Sequence, residues 1–327
     1  MTTQSPHNSF SRRRFVGLLG TVSATAALAA CSAGGAGSST AQPIKFWNML
    51  EGNAKFNPLD RKIVEAYKPK SGNGPATYRV VEWANFVATF ATAVAANTGP
   101  AVSSGGGTQV FQYVAKDKIA FADHLMETWK SNGLYDDFVP GLLDALKTSD
   151  GHQAAIPQAV SAIVSWYSPS LLDKAGVKPP TDWQSYLDAA AGLKKIGVFG
   201  FGTGGGAGNF QGGQTLVSWM INNGGGLFDE DQQPNCVTPR NVEALDFVLE
   251  MIKKGYSDPR STLYTTTNVA AQWKNKLFGL GWDVPTLIDN VGAGWDGMVG
   301  SPITGPHGDK GTLGFVNNIM MLSLIHI

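Results

Sequence analysis

The sequence predicts an α/β fold with a largely parallel sheet, and three observations carry that expectation. Ile44-Lys45-Phe46-Trp47 and Tyr78-Arg79-Val80-Val81 are short β-branched or aromatic runs, each followed by loop residues and then helical pattern, as in βα units. Two helix starts further on are strongly marked, at Pro179–Gln184 and at Thr238-Pro239. The chain of 327 residues is long enough for a sizeable core and is more naturally two lobes than one.

In chain order, the first signal is an address. Ser11-Arg12-Arg13-Arg14-Phe15 leads into an apolar run that stops at Leu28-Ala29-Ala30-Cys31. A basic start, an apolar stretch and small residues before a cut are the three parts of an export signal, here residues 1–30. The stretch from Phe15 to Ala30 is shorter than the about 20 apolar residues of a spanning helix. The arginines resemble twin-arginine signals, and the last four residues resemble a lipoprotein lipobox, in which Cys31 becomes the acylated anchor. Small residues through Thr40 make 31–42 a flexible tether, with the folded body beginning near Pro43.

The chain carries 25 basic and 25 acidic residues, and loss of Arg12, Arg13 and Arg14 leaves the remainder slightly acidic, which argues against a nucleic-acid partner. Cys31 and Cys236 are the two cysteines, so lipidation of the first excludes an internal disulfide. Forty glycines and nine tryptophans suit a loop-rich exported protein that grips a ligand.

At Pro179–Gln184, Thr181 is placed to cap a helix and Gln184 to return the bond, with Trp183, Tyr186, Leu187, Ala190 and Leu193 on one face. Thr238 followed by Pro239 repeats the logic, with Val242, Leu245, Val248, Leu249 and Ile252 as the expected buried stripe. Lys253-Lys254-Gly255 closes that helix with cations and a left-handed glycine.

Gly200-Phe201-Gly202-Thr203-Gly204-Gly205 formally matches a dinucleotide fingerprint, but Gly-Ala-Gly-Asn after it does not open a helix. It reads as a flexible loop able to approach a ligand through bare backbone. Neither a phosphate loop, a His-Glu-x-x-His pair nor a Gly-x-Ser-x-Gly elbow occurs. His124, His152 and His307 lack a second ligand at zinc-like spacing. No cofactor or metal is therefore expected. Asp182, Asp229, Asp283 or Glu51 could supply a glycosidase pair, which leaves a secreted carbohydrate-active hydrolase open.

The order of weaker patterns says more than any one of them. The first strand is followed by a loop with Glu51, Trp83 opens a helix ending at Ala96–Pro100, and Val114–Phe121 precedes another helix. Ala155-Ile156-Pro157, Ser165-Trp166-Tyr167 and Leu171–Gly176 lead to Pro179–Trp183; later come Trp219, Asn223–Asp229, Gly281-Trp282 and Pro302–Pro306. This succession, from Ile44 to Met321, resembles family 1 of the extracellular solute-binding proteins, sugar-capturing lipoproteins of ABC importers. Asn97-Thr98-Gly99-Pro100-Ala101-Val102 departs from the family's Gly-x-Gly-Pro-Asp-Val by lacking the aspartate.

The resemblance implies a type II periplasmic-binding-protein-like fold, with lobe 1 at 43–157, lobe 2 at 158–312, crossing hinge strands, and a return to lobe 1 at 313–321. It also implies that the fold is incomplete at the C-terminus and folds poorly. Leu322–Ile327 reads as a translated transposon end used in preparing sequencing libraries, which puts the natural sequence's limit near Met321. By resemblance, Trp47, Glu51, Trp83, Gly106, Gln158, Tyr167, Trp282, Asp283 and Asn317 face a carbohydrate ligand, with Trp282 the main stacking platform and Trp219 in the core. The implied protein is a monomer without catalysis. It is held through Cys31 at the outer face of the cytoplasmic membrane or in the periplasm, and served by permease and ATPase subunits. A surface lipoprotein without a small ligand is the third class.

Overall fold

A computed structural model describes residues 42–49, 54–69, 74–206, 208–229 and 233–322. Residues 1–41, with the expected export signal, Cys31 and nearly all of the tether, lie outside the described residues, as do Glu51 and 323–327. The strands are β1 (Ile44–Met49), β2 (Ala76–Val81), β3 (Val102–Gly105), β4 (Ile156–Ala162), β5 (Val164–Tyr167), β6 (Leu280–Asp283), β7 (Met298–Val299) and β8 (Gly314–Met321). The helices are α1 (Asn57–Glu65), α2 (Phe86–Ala95), α3 (Gln109–Val114), α4 (Asp123–Asn132), α5 (Pro169–Ala175), α6 (Trp183–Lys195), α7 (Gln211–Asn222), α8 (Pro239–Lys253), α9 (Thr266–Lys274) and α10 (Leu287–Val291).

Two sheets organise them, one of order β2-β1-β3-β8-β4 and one of order β6-β5-β7. Strands β1, β2 and β3 are parallel, joined through α1 and α2 as the βα pattern requires. Strand β8 runs against both β3 and β4, because it enters the first sheet from the second. The first sheet is therefore mixed rather than largely parallel. In the second, β5 is antiparallel to β6 and β7.

The expected lobe boundary at Pro157 falls inside β4, which stays in the first sheet to Ala162. The chain crosses at the buried Ile163, whose N–H donates to the Leu313 carbonyl at 2.9 Å. The Thr312 hydroxyl donates to the Ile163 carbonyl at 2.6 Å, so the outgoing and returning segments are bonded to each other where they cross.

Helix α6 starts one residue later than the threonine suggested. Asp182 is the cap, its carboxylate accepting from Ser185 N–H at 2.8 Å while Ser185 Oγ accepts from Asp182 N–H at 3.0 Å. A carboxylate satisfies a free N–H and also complements the positive helix pole, which a threonine hydroxyl does only in part. Thr238 caps α8 through Asn241 N–H at 3.2 Å, and Gly255 beyond that helix is left-handed at φ 70°.

The buried face of α8 differs from the expected stripe. Ala244, Phe247, Val248 and Met251 turn inward, while Val242, Leu245, Leu249 and Ile252 remain 36–50% exposed. Phe247 decides the rotation, with its ring 4.1 Å from Trp183 and 5.0 Å from Trp219. An aromatic ring brings more apolar area to a core than any aliphatic side chain on the opposite face.

The Gly200 segment is also not a flexible loop. Parallel bridges join Phe199 to Phe278, Phe201 to Ser257 and Gly202 to Gly281, so the run extends the second sheet beside β6. A Cβ on Gly200 would lie 2.4 Å from Ala190 Cα, and one on Gly281 would lie 2.6 Å from the Gly202 carbonyl. These glycines let helix α6 and a neighbouring strand approach closely.

Candidate ligand-binding cleft

The C-terminal ends of β1, β2 and β3 define one edge of the first sheet, where open α/β sheets present their ligand-binding loops. Beyond β2, the turn Trp83–Asn85 swings Trp83 over the loop that follows β3. A Cβ on Gly106 would sit 2.7 Å from the Trp83 indole and 3.8 Å from Asn317 Oδ1, so bare backbone at Gly106 lets the indole lie there. Gly106 N–H donates to Gln109 Oε1 at 3.3 Å, and Asn318 Nδ2 donates to the Gly107 carbonyl at 3.1 Å. Three expected contacts, Trp83, Gly106 and Asn317, are thus brought together by β2, β3 and β8.

A buried polar network fixes this edge. Met49 N–H donates to Ser104 Oγ at 2.7 Å, and that hydroxyl donates to Asn48 Oδ1 at 3.0 Å. Asn48 Nδ2 in turn reaches Asp60 Oδ2 and the Tyr78 hydroxyl, both at 3.1 Å. Networks satisfied in this way hold loops in one geometry.

From Trp83 an aromatic strip leads outward: the Phe86 ring lies 5.5 Å from Trp83 edge-on, and Phe210 lies 5.9 Å from Phe86. Phe210 immediately precedes α7, so this contact links the helix after β2 to the helix that packs on the second sheet. The first residue of α7, Gln211, donates through Nε2 to Asp283 Oδ2 at 2.7 Å and to the Trp282 carbonyl at 3.2 Å. Val284 N–H donates to Asp283 Oδ1 at 2.7 Å. Burial nonetheless pushes the Asp283 carboxyl up to about 7, the backbone N–H offsetting only part of the desolvation.

The other expected residues lie elsewhere. Trp47 is buried in the core beneath the first sheet, edge-on to Phe90 at 5.3 Å with Arg79 4.4 Å over its ring. Trp282 is 3% exposed, 4.5 Å from the fully buried Trp219. Gln158 is exposed at the bulge where the β4–β8 register shifts, between the Pro157–Asn318 and Ala159–Asn317 pairs. Tyr167 is half-buried and its hydroxyl meets Met298 Sδ at 3.8 Å, whereas Trp166 faces the core.

Sequence reasoning missed Phe86, Phe210, Gln211 and Asn318. Phe86 lies three residues beyond Trp83, one helical turn away, which is the spacing that could have revealed it. Phe210 carried no such signal, because its partner is distant in sequence.

Among the described residues, no three or more His, Cys, Asp or Glu side chains gather in a way that could hold a metal ion. His152 is instead tied to Asp123 at 2.7 Å and stacked on Phe121, and His307 bonds Glu243 at 2.8 Å. Asp182 is spent on its helix cap. The strip sets the rings of Trp83, Phe86 and Phe210 beside the buried amides of Asn317, Asn318 and Gln211 and the buried Asp283 carboxyl, aromatic faces suited to apolar surface next to amides suited to hydroxyl groups.

Comparison with known proteins gives a consistent result. The sequence profile described as bacterial extracellular solute-binding protein matches residues 54–316. A sugar transporter from Arthrobacter chlorophenolicus A6, solved with bound laminaribiose, is 44% identical and superposes with a TM-score of 0.80 over 88% of this chain and 72% of that one. The solute-binding protein of an ABC transporter from Thermotoga lettingae, bound with α-D-tagatose, shares the fold at a TM-score of 0.70 and 16% identity, over 88% of this chain and 74% of that one. A protein of Brucella abortus (strain 2308), named as a binding protein, is 24% identical over 278 residues, 84% of this chain. The chain spans 66% of the length of that relative. The profile match over most of the sequence, and the identity to the Arthrobacter protein, establish that the chain belongs to the bacterial extracellular solute-binding protein family.

Proposed function

We propose that this protein captures a sugar or short oligosaccharide between two lobes and delivers it to an ABC importer. The observation that carries the reading is the aromatic strip Trp83–Phe86–Phe210, which starts over Gly106 and Asn317 in the first sheet and ends beside Gln211 and Asp283 at the second. Aromatic faces cover the C–H faces of a pyranose while amides bond its rim, and the buried Asp283 carboxyl holds Gln211 in place. The laminaribiose held by the 44% identical Arthrobacter protein makes that disaccharide the first ligand to test.

On this reading the first lobe is built on the β2-β1-β3-β8-β4 sheet and the second on β6-β5-β7, with Ile163 and Leu313 as the hinge. A ligand touching both lobes favours the closed state, and permease subunits of the importer read that shape. Cys31 supplies the lipid anchor after export, 31–42 the tether, and the protein acts as a monomer without turnover. Thermal-shift and calorimetric titration with laminaribiose, maltose and monosaccharides tests the reading: specific binding raises the melting temperature by mass action. Appearance of hydrolysis product would replace it with a glycosidase, and silence across the panel would remove the sugar ligand altogether.

A further inference from the structure

The aromatic strip does not end at the cleft. Phe86 and Phe210 also line a cavity of about 520 Å³ that opens between α2 and α3, with Val87 and Ala91 on one wall and Gln112 and Lys116 on the other. That size falls within the about 300–1,000 Å³ of small-molecule sites. Small side chains keep the groove open: Ala91 and Ala95, on successive turns of α2, are both exposed. The buried ring of Tyr113 also lines the groove, and Asn97, fixed by Lys118 Nζ at 3.4 Å, marks its far end. The ten residues of α2 give it a run of about 15 Å, longer than one pyranose ring.

Phe210 is 49% exposed and Val87 57% exposed where this groove meets the strip. Slack in the loop is not the cause. Asn209 Nδ2 donates to the Tyr264 carbonyl at 2.9 Å, Asn209 Oδ1 accepts Gln211 N–H at 3.0 Å, and the Phe210 carbonyl begins the α7 ladder through Gln214. The ring is held outward on a fixed support, continuous with the candidate site on one side and the groove on the other.

We infer that the ligand site extends past Phe86 and Phe210 into the α2–α3 groove, which takes the distal units of a linear oligosaccharide whose first units lie in the cleft. The inference rests on the sugar-binding reading above. The chemistry favours a saccharide: an apolar wall of Phe86, Val87, Ala91 and Phe210 faces the hydroxyl, amide and ammonium groups of Thr108, Gln112 and Lys116, as a sugar carries C–H faces beside rim hydroxyls. A lipid tail or an amphipathic helix would want an unbroken apolar floor, which Thr108, Gln112, Lys116 and Asn97 interrupt.

The test is calorimetric titration of the protein with laminaribiose, laminaritriose and laminaritetraose, alongside Ala91→Trp, which fills the groove from an exposed helical position, and Gln112→Ala. The expected result is at least a tenfold gain in affinity from disaccharide to tetrasaccharide. That gain should be lost in Ala91→Trp and reduced several-fold in Gln112→Ala, with laminaribiose binding kept within about twofold as the check on folding. Affinity that is flat with chain length, or a gain that survives Ala91→Trp, overturns the extended site and leaves the cleft reading standing. Absence of binding at every length overturns both.

Discussion

Two glycine-rich segments, Gly105–Gly107 and Gly200–Gly206, look alike in the sequence and do opposite things in the fold. At Gly106 the missing side chain leaves room for a tryptophan at the candidate cleft. At Gly200, Gly202 and Gly281 it lets a helix and strands press together, and at Gly204 and Gly206 it admits the backbone around Leu263 and Tyr264. A glycine run therefore marks close approach but not what approaches. In the first segment the neighbour is a movable side chain at an open edge, and in the second it is backbone inside a closed layer. The second was expected to be flexible, and the packing of Ala190 against Gly200 is the reason it is not.

The contrast can be broken by substitution, and the largest effect belongs to the packed segment. Gly200→Ala places a methyl group against the Ala190 backbone. It should cost about 3 kcal/mol, read from denaturant unfolding, since overpacking a rigid layer forces the backbone to shift.

The enclosure that packs these glycines also buries Asp283, two residues after Gly281. Its folded-state pKa of about 7 lies above the ordinary 3.8, so the unfolded chain ionises first. Stability from this group is fully present below pH 4 and falls as pH rises toward 7. The shift sets an upper limit of roughly 4 kcal/mol. Because the Gln211 bond favours the ionised form, about 2 kcal/mol is expected between pH 4 and pH 8. Asp283→Asn should flatten that slope in melts taken across the range, and an unchanged slope would assign the pH dependence to other groups.

The smallest effect on the fold belongs to the cleft segment. Gly106→Ala displaces the Trp83 indole, so laminaribiose affinity should fall about tenfold, or about 1.4 kcal/mol, while the melting temperature moves little. A large loss of stability instead would make the two glycine segments equivalent.

Much of the fold was legible in local pattern. The strands at Ile44 and Tyr78, the threonine–proline start of α8 and its left-handed Gly255 follow from propensity and capping chemistry within a few residues. The inward face of α8 was not legible, because its apolar residues cover more than one side and Phe247 wins only through Trp183 and Trp219. The tryptophans divide in the same way. Trp83, expected to open a helix after the second strand, lies in the turn before α2 beside Gly106, yet nothing local told Trp282 from a stacking platform. Its neighbour Trp219 lies 63 positions earlier in the chain and 4.5 Å away in space.

The sequence by itself determined the family, the βα beginning of the first sheet, the start of α6 to within one residue and both ends of α8, because these rest on the order of motifs and on interactions a few residues apart. Only the tertiary structure decided that the chain crosses at Ile163 and Leu313, that Trp47 and Trp282 are core, and that Phe86 meets Phe210. The physical reason is that burial and pairing are properties of what surrounds a side chain. In this fold the surroundings of each of these residues come from segments far away in the sequence.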